Sequence, residues 1–529
     1  MIKKSVMFFM AIVLLLGILA GCQSSNDTNA SKKEPGKAFN KTGYPIVDKK
    51  VTMTMFGPNV GLTQWKDMQF FKTMEKKTNV HFKFKTPPSE SLDTKKNLTF
   101  ASGDLPDVFY GASLTQEEQV KYGSQGILIP LEDLIKDYAP HIQKMLDEHP
   151  DIKKAITTDD GHIYALPYVN QALPWARGPM WYNGKFLKNL GVKELPKTTE
   201  ELYDLLKRFK TEDPNKNGKA DEIPLTGFKI EDIRQWFLGA FGVADPKVEL
   251  VDGKVKYGAI QPGYKDYLVY MHKLWKEGLL DHETFSQTAE QKQAKGHDNR
   301  LGLFADWFPH FTLGGSDSST KNPMMVPVKG PNVDKPIIPI SSGISGGQFA
   351  ITNKNDHPAA AIRWADYSYS KEGSNFLHYG KEGDFWKWGN KDKNIRTHVD
   401  PPKGFESGEE YRGTLTPDYG IPVPTWTRTE DEKGWDDPFT QFIYKQTDEK
   451  IRPYGQVPFP PVFLKKNESS EISRISSDLD TYWQQMEAKF ITGQKPISDW
   501  DKYVKTIKKM DVDKLVDIYS KAYKRYQKK

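Results

Sequence analysis

The stretch Pro196–Leu225, PKTTEELYDLLKRFKTEDPNKNGKADEIPL, decides the reading of this chain. Its first half predicts a helix. Thr198 with Glu201 three residues later fits a capping box, in which hydroxyl and carboxylate each satisfy an unpaired backbone N–H. Leu202, Leu205, Leu206 and Phe209 recur at helical spacing and give one apolar face. The second half places side-chain oxygens of Asp213, Asn215, Asn217 and Asp221 at loop positions 1, 3, 5 and 9, with Gly218 at position 6. That is the front of a calcium loop: the ion takes about six to eight hard oxygens, and the glycine lets the next carbonyl, that of Lys219, turn inward. Position 12 is Pro224, so Glu222 at position 10 is the expected substitute ligand. A strand over Ile223–Leu225 follows in place of a second helix. The same residues also make an ordinary helix-to-strand turn. A bound Ca²⁺ would be structural, because no second acidic cluster lies nearby to activate water.

The chain has 529 residues, a length that predicts about three domains or two large lobes. Charged residues are 27% and hydrophobic ones 37%, with 13 Trp, 24 Tyr and 28 Phe, which is a globular and not a disordered composition. Net charge is +6 and the excess is spread out apart from a Lys-rich C-terminal end. With no basic block interleaved with aromatics, nucleic acid is not an expected partner.

The one cysteine, Cys22, forbids an intramolecular disulfide. Its position is informative. Lys3 and Lys4 precede an apolar run from Val6 to Ala20, of signal-peptide length and short for a membrane span. Leu19-Ala-Gly-Cys22 then resembles the lipobox of bacterial lipoproteins, whose cysteine is acylated and becomes the mature N-terminus. This predicts a signal peptide over 1–21 and a lipid-anchored, Ser-, Asn- and Lys-rich tether over 22–45, held at the outer face of a bacterial cell membrane.

Beyond the tether, β and α patterns alternate. Strands are expected at Val51–Phe56, Val80–Lys85 and Val108–Tyr110, with helices between, which argues for an α/β lobe with a largely parallel sheet. Ligands of such sheets sit at strand carboxyl ends, here Asn59 and the segment Tyr110 to Ser113. An irregular stretch from Asn170 to Pro179 and a Pro-, Ser- and Gly-rich one from Pro336 to Gln348 read as two crossovers between lobes. Helices are expected at Tyr264–Lys276, Pro358–Tyr369, Ile472–Phe490 and Trp500–Tyr526; residues 380–461, rich in Gly, Pro and Trp, give no clear pattern.

The order of motifs carries a resemblance. The lipobox, Gly103-Asp-x-Pro-Asp107, Gly161-x-x-Tyr-Ala-Leu-Pro167, the Tyr182-Asn183 strand followed by Pro-x-Thr-Thr-x-Glu, and Pro358-x-x-Ala-x-x-Trp364-x-Asp366 resemble the family 1 extracellular solute-binding lipoproteins of ABC sugar importers. The calcium loop is similar to that of the subgroup holding alginate-binding proteins. The resemblance implies a periplasmic-binding-protein-like (type II) α/β fold of two lobes with a sugar cleft between them, joined by crossover hinges. On that pattern 46–170 form the first lobe, 171–340 the second with loop 213–222, and 341–400 return to the first. Residues 401–529 make up mostly second-lobe segments and C-terminal helices. The implied partners are an oligosaccharide, complex or acidic, and membrane permease subunits; a monomer is expected.

For such a ligand the useful side chains are aromatic platforms for sugar C–H faces and fixed polar groups for hydroxyls. The candidates are Asn59, Tyr110, Ser113, Trp175, Trp236, Asp306, Trp307, Ser342, Trp386 (with Trp388) and Trp426. Arg177, beside Trp175, has two readings: its guanidinium matches a sugar carboxylate, or it makes an ordinary crossover salt bridge. Trp307 and Tyr110 lead because their motifs align with cleft aromatics of the family. Catalytic tools are scarce. Gly343-x-Ser345-x-Gly347 matches a nucleophile elbow, but a strand pattern follows where a helix is needed. The 11 His are scattered and no phosphate-binding loop is present. The chain is therefore read as a non-enzyme. A membrane-anchored glycosidase is the rival reading, since paired carboxylates leave no sequence signature.

Overall fold

A computed structural model describes residues 38–60, 62–315, 320–405 and 408–529. The lipobox, Cys22, the signal peptide and most of the tether lie outside the described residues.

In chain order the principal strands are β1 (Val51–Phe56), β2 (Val80–Lys85), β3 (Val108–Tyr110), β4 (Leu166–Asn170), β5 (Met180–Tyr182), β6 (Ile223–Thr226), β7 (Leu301–Ala305), β8 (Ile344–Ile351) and β9 (Thr425–Thr427). Six form one sheet in the order β9-β4-β8-β3-β1-β2. Its pairings are parallel (Val51↔Val80, Met55↔Val108, Thr425↔Tyr168) except for β8, which runs antiparallel to both neighbours (Phe349↔Tyr110, Ile344↔Val169). The second sheet, β5-β7-β6, is smaller and mixed.

Each sheet has its own core, so the chain forms two α/β lobes. One apolar cluster joins Ile46–Val169 to Phe349–Leu377, Val423 and Trp426; the other joins Trp175–Ile338 to Ile443–Ile518. The chain thus passes between lobes at 171–179, 338–343 and 428–437. The third passage lies in the stretch whose pattern was unreadable. In the first two passages, backbone pairing of Trp175 with Ile340, and of Ile338–Pro339 with Gly455–Gln456, makes a narrow ribbon.

Local chemistry explains the elements. Thr198 Oγ1 accepts from Glu201 N at 3.2 Å, but the Glu201 carboxylate takes Lys197 N, one residue before the capping-box position. Leu202, Leu205, Leu206 and Phe209 are all buried beneath that helix. Asp107 of the Gly-Asp-x-Pro-Asp motif clamps β1 by accepting from Thr54 N (2.6 Å) and Thr54 Oγ1 (2.8 Å). Asp366 accepts from His141 N and Ile142 N at 2.9 and 2.8 Å, capping the Pro140–Glu148 helix. Burial lifts its pKa to about 7 despite those bonds. The helix expected over Trp500–Tyr526 is two, Trp500–Lys509 and Val512–Lys528, broken where Asp511 takes φ 62°.

In the second lobe Arg234 is buried against Glu487, Nε to Oε1 at 2.7 Å with a second bond from Nη2 to Oε2. Tyr267 donates to the same carboxylate at 3.1 Å, and the guanidinium lies 4.9 Å over the Trp483 ring. This joins helix Ile230–Leu238 to helix Lys466–Ile491.

Candidate functional site

Both sheets turn their open ends toward the passages. β4 ends at Asn170, β8 begins at Ile344 and β9 ends at Thr427, each beside a passage; β5 begins at Met180 and pairs with Ala305, the last residue of β7. The space between these ends is the cleft of a two-lobed protein.

On the second lobe that edge carries an aromatic ledge. Trp307 lies two residues past the end of β7 and is 50% exposed, although a Trp seldom leaves its face to water without use. Its ring stacks on Trp175 with centroids 6.4 Å apart and planes 28° apart. Trp175 is pinned by its Nε1–H to Thr447 Oγ1 at 3.2 Å. Phe308 meets Trp175 edge-on at 5.8 Å and Phe439 at 5.4 Å, and Phe311, also exposed, extends the row. Asp306 builds the ledge. Its carboxylate accepts from Trp307 N (2.8 Å), Lys292 Nζ (2.7 Å) and Thr312 Oγ1 (2.5 Å), and its carbonyl accepts from Trp181 Nε1 (2.9 Å). With its oxygens so engaged, Asp306 positions Trp307 and is not placed to hold a hydroxyl itself.

On the first lobe the strand ends present polar groups. Ser113 is exposed and takes φ 48°, Ser342 is half-buried, and Asn59 is nearly buried. Asn170 Nδ2 donates to Tyr168 Oη at 3.0 Å. Behind Thr427 lies a buried charge cluster. His378 uses Nδ1 toward Asp418 and Nε2 toward Thr427 Oγ1, both at 2.6 Å, and Arg412 reaches Asp418 at 2.5 Å. Burial alone would raise Asp418, but Arg412 and the His378 bond hold it down at about 2. Burial would lower His378, but the Asp418 bond and charge leave it raised.

Several expectations need correction. Tyr110 is wholly buried among Trp65, Phe71 and Trp364, because its side chain points from the sheet face into the first core and not off the strand end. Trp236 is buried in the second core, on the inner face of its helix. Trp426 is buried, donating to Gln171 Oε1 at 2.9 Å with Arg428 3.7 Å over its ring, so it locks a passage. Trp386 is in a satellite cluster with Tyr379, Phe385 and Trp435. Arg177 is half-exposed and 3.4 Å from Asp232, on the far side of the ribbon from the ledge. Phe308, Phe311 and Phe439 escaped the sequence reading; the density of rings in Trp307-Phe-Pro-His-Phe311, straight after a strand, was the available signal. Ser345 lies within strand β8, so no strand-serine-helix elbow exists there.

The oxygen loop folds around its own side chains. Asn217 N donates to Asp213 Oδ1 (3.1 Å) and Asn215 Oδ1 (3.0 Å), and Gly218 N to Asp213 Oδ2 (3.0 Å), which gathers the side-chain oxygens around the loop interior. Gly218 takes φ 74°, a conformation other residues adopt with strain. Asn215 and Asn217 both reach Asp221 Oδ1, and Arg300 holds the Asp221 carbonyl at 2.9 Å. Both Glu222 carboxylate oxygens are buried without a hydrogen-bond partner. Burial raises the Glu222 pKa, and Asp213 and Asp221 add to the rise. A buried, unpartnered carboxylate beside two others is a costly arrangement that a divalent cation relieves. Among the described residues no group of three or more His, Cys, Asp and Glu side chains forms a metal centre, so the donor set would be mixed amide, carbonyl and carboxylate.

Two lobes, paired passages and an aromatic ledge at the cleft define a ligand-binding protein of the two-lobed class. Residues 62–375 match the model of the bacterial extracellular solute-binding proteins, and the chain belongs to that family. It is similar to the fructooligosaccharide ABC transporter substrate-binding protein FusA of Streptococcus pneumoniae, with 29% identity over 97% of this chain and 96% of the relative. The solved structure of a FusA EF-hand mutant with fructo-nystose matches 90% of this chain and 99% of that one, at 27% identity and a TM-score of 0.72. The alginate-binding protein AlgQ2, solved without calcium ion, shares the fold over 91% of this chain and 100% of that one, with a TM-score of 0.69 at 24% identity. Among the described residues no helix is long and apolar enough to cross a membrane.

Proposed function

We propose that this chain captures an oligosaccharide between its lobes, without altering it, and hands it to the permease subunits of an ABC importer. The observation that carries the reading is the exposed Trp307 face, stacked on Trp175 at the cleft edge of the second lobe. Sugar C–H faces pack on such rings, and hydroxyls find Ser113, Ser342 and Asn59 across the cleft. The glycan bound by FusA favours an oligosaccharide ligand here too. A ligand touching both lobes stabilises their closed arrangement through contacts the open one lacks.

The loop is proposed to hold structural Ca²⁺ through Asp213, Asn215, Asn217, the Lys219 carbonyl, Asp221 and Glu222; the ion would cross-link a helix end to β6. The "EF-hand" of the FusA mutant supports this. Cys22 is proposed to carry the lipid that keeps a monomeric protein at the cell surface; Cys22→Ala should shed it to the medium, and a variant that still pellets with membranes would refute the anchor.

The function is tested by calorimetric titration with a panel of neutral and uronate-containing oligosaccharides, then mass spectrometry of the recovered sugar. Tight binding with intact sugar is expected. Cleaved sugar would replace this reading with a glycosidase.

A further inference from the structure

A cavity of about 740 Å³ in the second lobe is distinct from the cleft. Its walls are second-lobe helices, the first two passages at Ala176–Arg177 and Pro339–Ile340, and the segment Pro458–Phe459, and no first-lobe residue lines it. None of the ledge aromatics lines it either. In the passage Trp175 turns its ring to the ledge while its neighbours Ala176 and Arg177 face the cavity, so the ribbon separates the two spaces.

The lining mixes aromatic and polar groups. Tyr257 is 2% exposed on the wall, and its hydroxyl is buried without a partner. Leaving such a group unsatisfied is costly, and an occupant toward which the ring shifts its hydroxyl relieves that cost. Asp245 lies close by on the same wall, and Phe459 and Tyr519 add aromatic surface, their rings 5.6 Å apart. The charges decide the ligand class. Each cation of the lining has its carboxylate: Lys247 with Asp480 at 2.6 Å, Arg177 with Asp232 at 3.4 Å, and Arg234 with Glu487. An anionic ligand would have to break one of these pairs, whereas hydroxyl donors can share the Asp245 carboxylate, whose Oδ1 accepts from Lys247 N at 2.7 Å, without displacing an ion pair. The volume is within the range of small-ligand sites, roughly 300–1,000 Å³.

We propose that this cavity is a second binding site, separate from the aromatic ledge, for an uncharged, hydroxyl-bearing sugar ring. Because passage residues form part of its wall, an occupant there favours whichever lobe arrangement fits it and so couples to the cleft. The proposal does not depend on which glycan the cleft takes.

The test is saturation-transfer NMR on the mature chain with sucrose, maltotriose and, as the charged control, glucuronate. The variants are Trp307→Ala, which removes the ledge, Ser476→Trp, which fills the cavity from its lining helix, and Tyr257→Phe, which removes only the unpartnered hydroxyl. Transfer from at least one neutral sugar should survive Trp307→Ala, vanish in Ser476→Trp and weaken several-fold in Tyr257→Phe, with no transfer from glucuronate in the Trp307→Ala chain. Tyr257→Phe melts no lower than wild type if the hydroxyl is unpartnered, so it reports even if Ser476→Trp folds poorly. Neutral sugar transfer abolished by Trp307→Ala, equal transfer in Tyr257→Phe and wild type, or none from either neutral sugar would overturn the proposal.

Discussion

Glu222→Gln probes the oxygen loop most sharply. Both carboxylate oxygens of Glu222 are buried without a hydrogen bond of good geometry. Burial raises its pKa above the ordinary 4.5, and Asp213 and Asp221 push the same way; the nearby backbone N–H groups of Glu222 and Asn215 offset only part. For a carboxyl raised in the folded state, the folded form is favoured below the unfolded pKa, and that advantage is lost as pH rises through the folded value. Metal-free wild type should therefore lose stability from mildly acid to neutral pH, and the neutral amide of Glu222→Gln should not. Calcium held by the ionised carboxylate, as proposed, would reverse the order. At about a hundredfold over Kd it stabilises wild type by about 2.7 kcal/mol. If the second lobe unfolds as a unit on the order of 250 residues, its unfolding entropy is about 0.5 kcal/mol/K, so Tm should rise by about 5 °C. The assay is thermal melting of demetallated wild type and variant at mildly acid and neutral pH, with and without calcium. We expect Glu222→Gln to melt at or above wild type without calcium at neutral pH, and to lose most of the calcium response. Identical melting of demetallated wild type with and without calcium would refute the reasoning.

Two further perturbations separate binding from folding. Trp307→Ala removes a half-exposed ring, so Tm should hold while sugar affinity falls by about 1 kcal/mol or more, at least fivefold by calorimetry; undiminished affinity would remove the ledge from the site. Glu487→Gln leaves the buried Arg234 guanidinium without its counter-charge and should cost about 3–5 kcal/mol by denaturant melting, whether or not calcium is present; a loss under about 1 kcal/mol would show that the pair is not a fastening of the lobe.

What the sequence revealed follows from the physics each signal reports. The amphipathic helix from Thr199 to Thr211 was plain because one face alone is apolar and all four spaced residues are buried. Asp107 and Asp366 stood out as motif residues, but their work as backbone acceptors depends on strands and helices distant in sequence and was invisible until the fold was known. The aromatic candidates split for a similar reason. Tyr110 is the last residue of its strand and its side chain enters the core, while Trp307, two residues past the end of its strand, turns out to solvent. The third passage was unreadable because short elements, the Trp386–Asn390 and Ile395–His398 strands among them, are set by tertiary contacts such as Arg396 against Tyr379 and Trp435, which leave no period in the sequence.

The central claim, capture by closure of two lobes on an intact sugar, is tested most directly by small-angle scattering of the mature chain titrated with an oligosaccharide that binds in calorimetry. The radius of gyration should fall to a plateau at saturation, and Trp307→Ala should stay at the ligand-free value at the same sugar concentration. Saturable, tight binding with a scattering curve unchanged from the free protein would contradict the account.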